Sequence, residues 1–428
     1  MTKARQPSAD TTSSAALAAW CSFDWANSAF PTIITTFIFA AYFTEGVSAD
    51  KATGAAAWGY AISLSAILIA LLSPVLGAIA DHGGRRKPWL FALSLLCIAA
   101  SAGLWWVEPD TAFVPAALVL VVIANTAFET GMVFYNAMLA DLAPPDRLGR
   151  LSGWAWGLGY FGGLACLVVM LLGFIQTETP WFELDKDMAE HVRASGPVVA
   201  LWFAVFSLPL FLWTPDKPKS GKSPRQAIAE GLRALIGTIH RAGELRQVAR
   251  FLVARMFYVD GLNTLFAFGG IYAAGTFGFS FEELIVFGVG MNVTAGLGAA
   301  SFAWADDRFG AKAVIMVAIS GLILLSLAVL LVESKTLFWI FALPLGIFVG
   351  PAQAASRSMM ARMAPADMRT EMFGLFALSG KATAFMGPAV LGWVTASTNS
   401  QRWGMATILV FFAIGLWLMR GVKPPVIE

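Results

Sequence analysis

Six charged residues fall inside long apolar runs: Asp24, Glu129, Arg255, Asp260, Arg357 and Lys381. A charge at the centre of a membrane helix costs roughly 2.5–3.5 kcal/mol on insertion scales, so such groups face a bundle interior or a water-filled cavity. Three are acids and three are bases, which permits two chemistries. In one, Asp24, Asp260 and Glu129 take up a cation or a proton while Lys381 or Arg357 holds a solute carboxylate. In the other, the six neutralise one another as the salt bridges of a gate, a role that suits Arg255 and Arg357. Desolvation makes a buried charge easier to neutralise, which suits proton coupling. Counted from the nearer helix ends, Asp24 and Arg255 lie roughly 10 Å deep, and Asp260 and Lys381 roughly 15 Å. Around them stand neutral donors and acceptors: Asn27, Asn125, Tyr135, Asn136, Asn263 and Asn292. Each can serve a solute or simply join helices.

Two of the acids share a pattern. Asp24-Trp25-Ala26-Asn27-Ser28-Ala29-Phe30 returns 236 residues later as Asp260-Gly261-Leu262-Asn263-Thr264-Leu265-Phe266. Asp, Asn, a hydroxyl and Phe recur in register. Trp25, beside Asp24, is expected to wall a cavity.

The elements that must position these groups follow from hydropathy. The chain of 428 residues is 58% hydrophobic and 13% charged, whereas soluble domains are nearer half apolar and a quarter charged. Twelve helical spans are expected, at about 17–44, 55–80, 89–107, 111–140, 151–174, 197–214, 249–274, 283–305, 313–332, 336–361, 372–396 and 402–420. Alternating ten-residue strands of a β-barrel are absent. The fold class is therefore an all-α polytopic membrane protein. The expected organisation is a cytoplasmic tail (1–16), a six-helix bundle (17–214), a linker (215–248), a second six-helix bundle (249–420) and a short tail (421–428).

Orientation follows from the basic residues. With the N-terminus inside, 21 of the 29 lysines and arginines, Lys3, Arg5 and Arg241 among them, fall on the cytoplasmic side and five outside. That bias places both termini in the cytoplasm, as in a bacterial inner membrane. The polar start followed directly by further spans is not a signal peptide. The linker carries Ile228, Leu232, Leu235, Ile236, Ile239 and Leu245 at helical spacing with interleaved arginines, the pattern of an amphipathic helix on the inner leaflet. Residues 175–196 read as an acidic external loop. Cys21, Cys97 and Cys166 sit in separate apolar runs and read as packing residues.

The halves repeat beyond the aspartates. Ala80-Asp81 ends span 2 and Ala305-Asp306 ends span 8, each followed by a basic turn. Ala143-Pro144-Pro145-Asp146 precedes Gly153 by the spacing at which Ala364-Pro365-Ala366-Asp367 precedes Gly374. Duplicated halves with a site between them are the architecture of alternating-access transporters.

The run Gly77-x-x-x-Asp81-x-x-Gly84-Arg85-Arg86 resembles the signature between helices 2 and 3 of the major facilitator superfamily, with His82 in place of the usual base. The Asp24–Phe30 run, Phe134-Tyr135-Asn136-Ala137, and Gly149-Arg150-Leu151-Ser152-Gly153 through Gly163 are similar to the vacuole-effluxer branch, which includes the yeast autophagy-linked amino-acid effluxer and bacterial members without an assigned substrate. The resemblance implies the twelve-helix fold of two pseudo-symmetric bundles, with helices 1, 4, 7 and 10 lining a central cavity. It further implies that Asp81 caps the start of helix 11, that Arg85 meets Asp141 at the end of helix 4, and that this cluster holds the inner gate. Helices 5 and 8, rich in glycine, are implied to pack across the halves. Helix 5 lacks the Gly-Pro pair usual in drug antiporters.

These readings converge on a secondary active transporter of a small organic solute, such as an amino acid or other zwitterion, driven by protons and working as a monomer. The alternatives are a proton-driven exporter of amphipathic toxic compounds and a membrane assembly factor that moves no solute. No nucleophile, metal, nucleotide or nucleic-acid motif appears, which argues against an enzyme and against any cofactor.

Overall fold

The computed structural model describes residues 12–240 and 245–423. Residues 1–11, 241–244 and 424–428 lie outside it, and with them Lys3, Arg5, Arg241 and most of both expected tails. The side chains of Ile236 and Ile239 are also outside the description. Twelve helices among the described residues are long and apolar enough to cross a bilayer: Ser14–Val47, Lys51–Gly83, Lys87–Trp106, Thr111–Leu142, Pro145–Ile175, Glu190–Trp213, Arg246–Phe277, Glu282–Phe309, Ala311–Leu331, Lys335–Met363, Arg369–Thr398 and Gln401–Arg420. They are numbered below as spans 1 to 12. The observed helices overrun the expected ends by up to seven residues. Hydropathy marks only the lipid-embedded part, while the helix continues into polar caps. Ser13 accepts from the Ala16 amide, and Asp50 from those of Ala52 and Thr53. Ser280 and Glu283 form a reciprocal capping box. Each satisfies orphan donors of a first turn.

Prolines break three spans. Span 1 is α-helical to Asn27 and then opens into wider turns over Phe30–Phe37. Span 10 is interrupted between Ala342 and Leu345, and span 11 between Lys381 and Met386. Pro31, Pro344 and Pro388 each lack the amide that would continue the ladder and crowd the carbonyl four residues earlier. Backbone of this kind is tolerated at membrane depth where protein or a water-lined cavity surrounds it.

Six spans lie on each side of the connecting segment, forming two bundles whose contacts are made by matched helices. Span 2 crosses span 11, and span 5 crosses span 8. The repeated glycines explain the closeness. A Cβ on Gly374 would fall 2.5 Å from the Ser73 carbonyl oxygen, and one on Gly153 would fall 2.6 Å from that of Ala299. Gly159, Gly162 and Gly163 do not join this crossing; they admit span 1 within the first half. Of the span 8 glycines only Gly296 meets span 5, whereas Gly290 and Gly298 admit span 10. A helix turns its residues through about 100° each, so one glycine-rich helix serves two neighbours.

The face on which span 1 starts and span 12 ends also carries the basic turns, and is called the basic face. There the segment after span 6 folds back over the bundle. Asp216 accepts from the amides of Arg86 and Lys87 at 3.0 and 3.1 Å, capping span 3. The helix Pro224–His240 follows. It docks on the end of span 2 through small residues, with Gly231 against the backbone of Ala78 and Ile79. Ile228 and Leu232 stay exposed. The expected amphipathic helix is therefore held by protein contacts, with Ile228 and Leu232 on its outward edge.

Candidate functional site

Two ion pairs cross between the halves inside the spans. Asp24 on span 1 accepts from Nη1 of Arg357 on span 10 at 2.8 Å, and both side chains are almost fully buried. The rest of the guanidinium is also satisfied. Nε donates to Ser152 Oγ at 2.9 Å, Nη2 to the Ser152 carbonyl at 2.7 Å, and Nη1 reaches Asn136 Oδ1 at 3.4 Å. Trp20, Tyr135 and Trp156 flank it, with ring centroids 5.1, 5.6 and 5.5 Å from Cζ. Asn27 adds a long contact to Asp24 Oδ1 at 3.5 Å. The second pair joins Glu129 on span 4 to Lys381 on span 11 at 2.7 Å, with each side chain about a quarter exposed. Lys381 is the last helical residue before the break in span 11.

Closer to the basic face the halves are clasped by two related devices. Asp81, ending span 2, accepts from Thr370 Oγ1 at 2.6 Å and from the Glu371 amide at 2.9 Å. It thus caps span 11 of the other half, where a negative charge meets the helix dipole. Arg86 is buried beneath it, donating to Thr370 Oγ1 at 2.8 Å and to the Ala137 carbonyl at 2.9 Å. Arg86 also pairs with Asp141, and Arg369 of the second half pairs with the same carboxylate. In the matching place, Asp307 in the last turn of span 8 accepts from the Gly149 amide at 2.7 Å and from Arg150 Nε at 2.7 Å. It caps span 5. Arg362 reaches Asp306 at 2.5 Å and donates to the Pro145 carbonyl at 3.1 Å. Lys217 of the connecting segment bonds the Ala366 carbonyl at 3.2 Å. Burial, with Arg86 beside it, pushes the Lys217 ammonium below its usual range, while Asp141 pulls it back up.

Asp260 has a different setting. It is 1% exposed and accepts from the Gly387 amide at 3.1 Å. Gly387 opens the outer piece of span 11, Met386–Thr398, so Asp260 faces the first turn of a half-helix at mid-membrane. Its Oδ1 has no hydrogen-bond partner. A Cβ on Gly387 would lie 2.0 Å from Thr264 Oγ1 and 3.0 Å from Asp260 Oδ1. The arrangement mirrors Gly159, whose Cβ would meet Ser28 and Asp24. The shared element of the repeat is thus an aspartate, a hydroxyl four residues on, and a glycine of span 5 or 11.

Residues 146–424 match the family described as Vacuole effluxer Atg22 like, and residues 4–167 match the Major Facilitator Superfamily. The chain belongs to the vacuole effluxer Atg22-like branch of the major facilitator superfamily. It is 26% identical over 410 residues to an uncharacterized MFS-type transporter of Bacillus subtilis, YxiO, covering 94% of this chain and 93% of that one. Autophagy-related protein 22 of Coccidioides immitis is 22% identical over 440 residues, covering 84% and 71%. The fold is similar to the proton:xylose symporter XylE bound to 6-bromo-6-deoxy-D-glucose, with a TM-score of 0.73 at 14% identity and 96% of both chains covered. The outward conformation of FucP gives 0.71 at 14% identity, covering 96% and 99%. This Atg22-like chain is therefore a transporter-family membrane protein and not an enzyme.

Set against the expectations, the Atg22-like structure pairs four of the six intramembrane charges and leaves two within the second half. Arg255, expected among the gate groups, does not bridge the halves. It donates to the Phe376 carbonyl at 2.7 Å and Ser379 Oγ at 2.8 Å, and stacks over the Phe376 ring, all on span 11 of its own bundle. Arg85 is exposed, and Arg86 takes the place expected of it. Gly84, at φ 89°, ends span 2 and reverses the chain, so the next residue points outward and the one after it inward. Asn263 is exposed and does not accompany Asp260 as Asn27 accompanies Asp24. Trp25 is not a cavity wall: it stacks on Trp202 of span 6, whose Nε1 donates to the Trp25 carbonyl. Tyr135 stacks on Trp20 and donates to its carbonyl, so it lines the Arg357 pocket. Not singled out as site residues in the sequence were Arg86, Ser152, Trp156, Asp307, Arg362 and Arg369. The repeat carried a signal for this turn, but it aligned Asp306 with Asp81, whereas Asp307 makes the cap.

Proposed function

We propose that the chain is a secondary active transporter of a small organic solute, working by alternating access, with the bundles 17–214 and 249–420 as the moving bodies and 215–248 as their tether. The observation that carries this reading is the clasp on the basic face. Asp81 and Asp307 each cap a helix of the opposite half, and Asp141 holds an arginine from each half at once. Such contacts stabilise one arrangement of the halves and must separate in another, which is what an alternating mechanism requires. With the positive-inside bias, the clasped face is the cytoplasmic one and both termini lie inside an inner membrane. The protein acts as a monomer. A solute class containing amino acids suits the mixed charge near mid-membrane and the vacuole-effluxer name of the family.

Proton coupling is assigned to Asp260. It is a buried carboxylate without a basic partner, set against a helix terminus that moves with span 11. Asp24 and Glu129, by contrast, are neutralised by Arg357 and Lys381 in this state. Solute and proton flux into proteoliposomes tests the reading. Flux that depends on a pH gradient and disappears in Asp260→Asn is the expected result. Gradient-driven flux that survives that substitution removes Asp260 from coupling, and no flux of any tested solute removes transport itself.

A further inference from the structure

The pocket around Arg357 has an unusual division of ownership. Every group that holds the guanidinium comes from the first half: Asp24 and Trp20 on span 1, Tyr135 and Asn136 on span 4, Ser152 and Trp156 on span 5. The cation comes from span 10 of the second half. The pocket matches its occupant closely. A carboxylate sits at one edge of the fork, a carbonyl and a hydroxyl at the other, and three aromatic rings lie within the roughly 6 Å range of cation–π attraction. Trp156 Nε1 is buried without an acceptor, so one further donor of this wall is unused.

We propose that this pocket is a receptor for organic cations, filled in the clasped state by Arg357, and that a solute bearing a guanidinium or alkylammonium group takes its place when the basic face opens. The inference rests on the transport reading and deepens it by naming the solute class. When the halves separate at that face, Arg357 leaves with span 10. The first half then presents a carboxylate inside an aromatic box, an arrangement that favours a cation over a neutral or anionic group. Closing the face returns Arg357 to the pocket and displaces the bound cation toward the opposite side. Solute and gate thus compete for one site, and occupancy by one excludes the other. In the resting protein the receptor is free only in the open fraction, so the measured affinity is reduced by that fraction.

The test uses the full chain in detergent at constant ionic strength, with thermal stability as the readout. The probes are ethylguanidinium, ethylammonium and the neutral isostere ethylurea. Arg357→Ala empties the receptor. It should be stabilised saturably by ethylguanidinium, with ethylammonium behaving in the same sense and ethylurea without effect. The unsubstituted protein should need about tenfold more of the same salt or beyond, because its own arginine competes. Adding Asp24→Asn to Arg357→Ala should abolish the response. If Arg357→Ala does not yield monodisperse protein, Arg357→Gln keeps a stem and an amide near Ser152 while vacating the Asp24 edge, and serves the same comparison. A folded variant that responds to no cation beyond sodium chloride, or equally to ethylurea, overturns the proposal. Binding without flux would sink the transport reading and leave the receptor standing. Flux of a neutral solute without cation binding would do the reverse.

Discussion

Asp24 and Asp260 occupy matching places in the two halves and have opposite neighbourhoods. Asp24 is bound by a cation from the other bundle and sits in a ring of aromatic side chains. Asp260 bonds a backbone amide of its own bundle and keeps one oxygen without a partner. A duplicated motif has therefore kept a position and divided a role. The carboxylate of Asp24 has its partner across the interface, so its contact depends on how the halves are placed. The carboxylate of Asp260 has its partner at the break in span 11 of its own bundle, so its contact depends on the path of that span. The difference comes from what faces each residue, since the aspartate, the hydroxyl and the packed glycine are common to both.

The comparison can be broken most directly at Asp24. Asp24→Asn leaves Arg357 buried without its counter-charge, an arrangement that costs about 3–5 kcal/mol. Thermal unfolding should register a large destabilisation, and the double variant Asp24→Asn/Arg357→Gln should recover part of it. If the two single losses simply add in the cycle, the pair is not coupled. Next in size is the distinction between adjacent arginines. Arg86→Ala should lose about 2–3 kcal/mol through its charged hydrogen bonds, while Arg85→Ala should stay within about 0.5 kcal/mol. Equal effects in the same unfolding assay would undo the placement of Arg86 under the clasp.

The helix caps come third. Asp81→Asn and Asp307→Asn each weaken a cap worth roughly 0.5–2 kcal/mol. Both should slow transport on the order of fivefold while solute affinity rises modestly and does not fall, because a weaker clasp enlarges the open fraction in which the pocket is free. A large affinity loss at unchanged turnover in either variant would move that aspartate from gate to binding site. The smallest effect on stability is expected at Asp260. An asparagine oxygen still accepts from Gly387, so Asp260→Asn should shift unfolding by no more than about 1 kcal/mol, while removing the dependence of flux on a pH gradient. A destabilisation as large as that of Asp24→Asn would erase the contrast between the two sites.

Much of the architecture was legible before any coordinates. Hydropathy over windows near twenty residues locates each span, because the cost of burying a charge is local to the segment that carries it. The repeated glycines were legible too, since Gly153 and Gly374 recur at one spacing and both prove to be inter-half crossings. Pairing was harder. Arg85 and Arg86 are identical in type and adjacent, and a turn ended by a left-handed glycine decides which of them faces inward. Asn27 and Asn263 occupy the same place in the repeat, yet only the first is buried.

What the sequence alone determined is the set of groups whose cost is paid segment by segment: twelve spans, two related halves, six intramembrane charges and the small residues that admit close crossings. What only the tertiary structure decided is which charge meets which. Asp24 finds its partner 333 positions away and across an interface. Asp260 finds a helix terminus that exists because Pro388 interrupts span 11. Contacts of this kind depend on the angular face each helix turns to its neighbour, and at about 100° per residue a shift of one position replaces the whole set of partners.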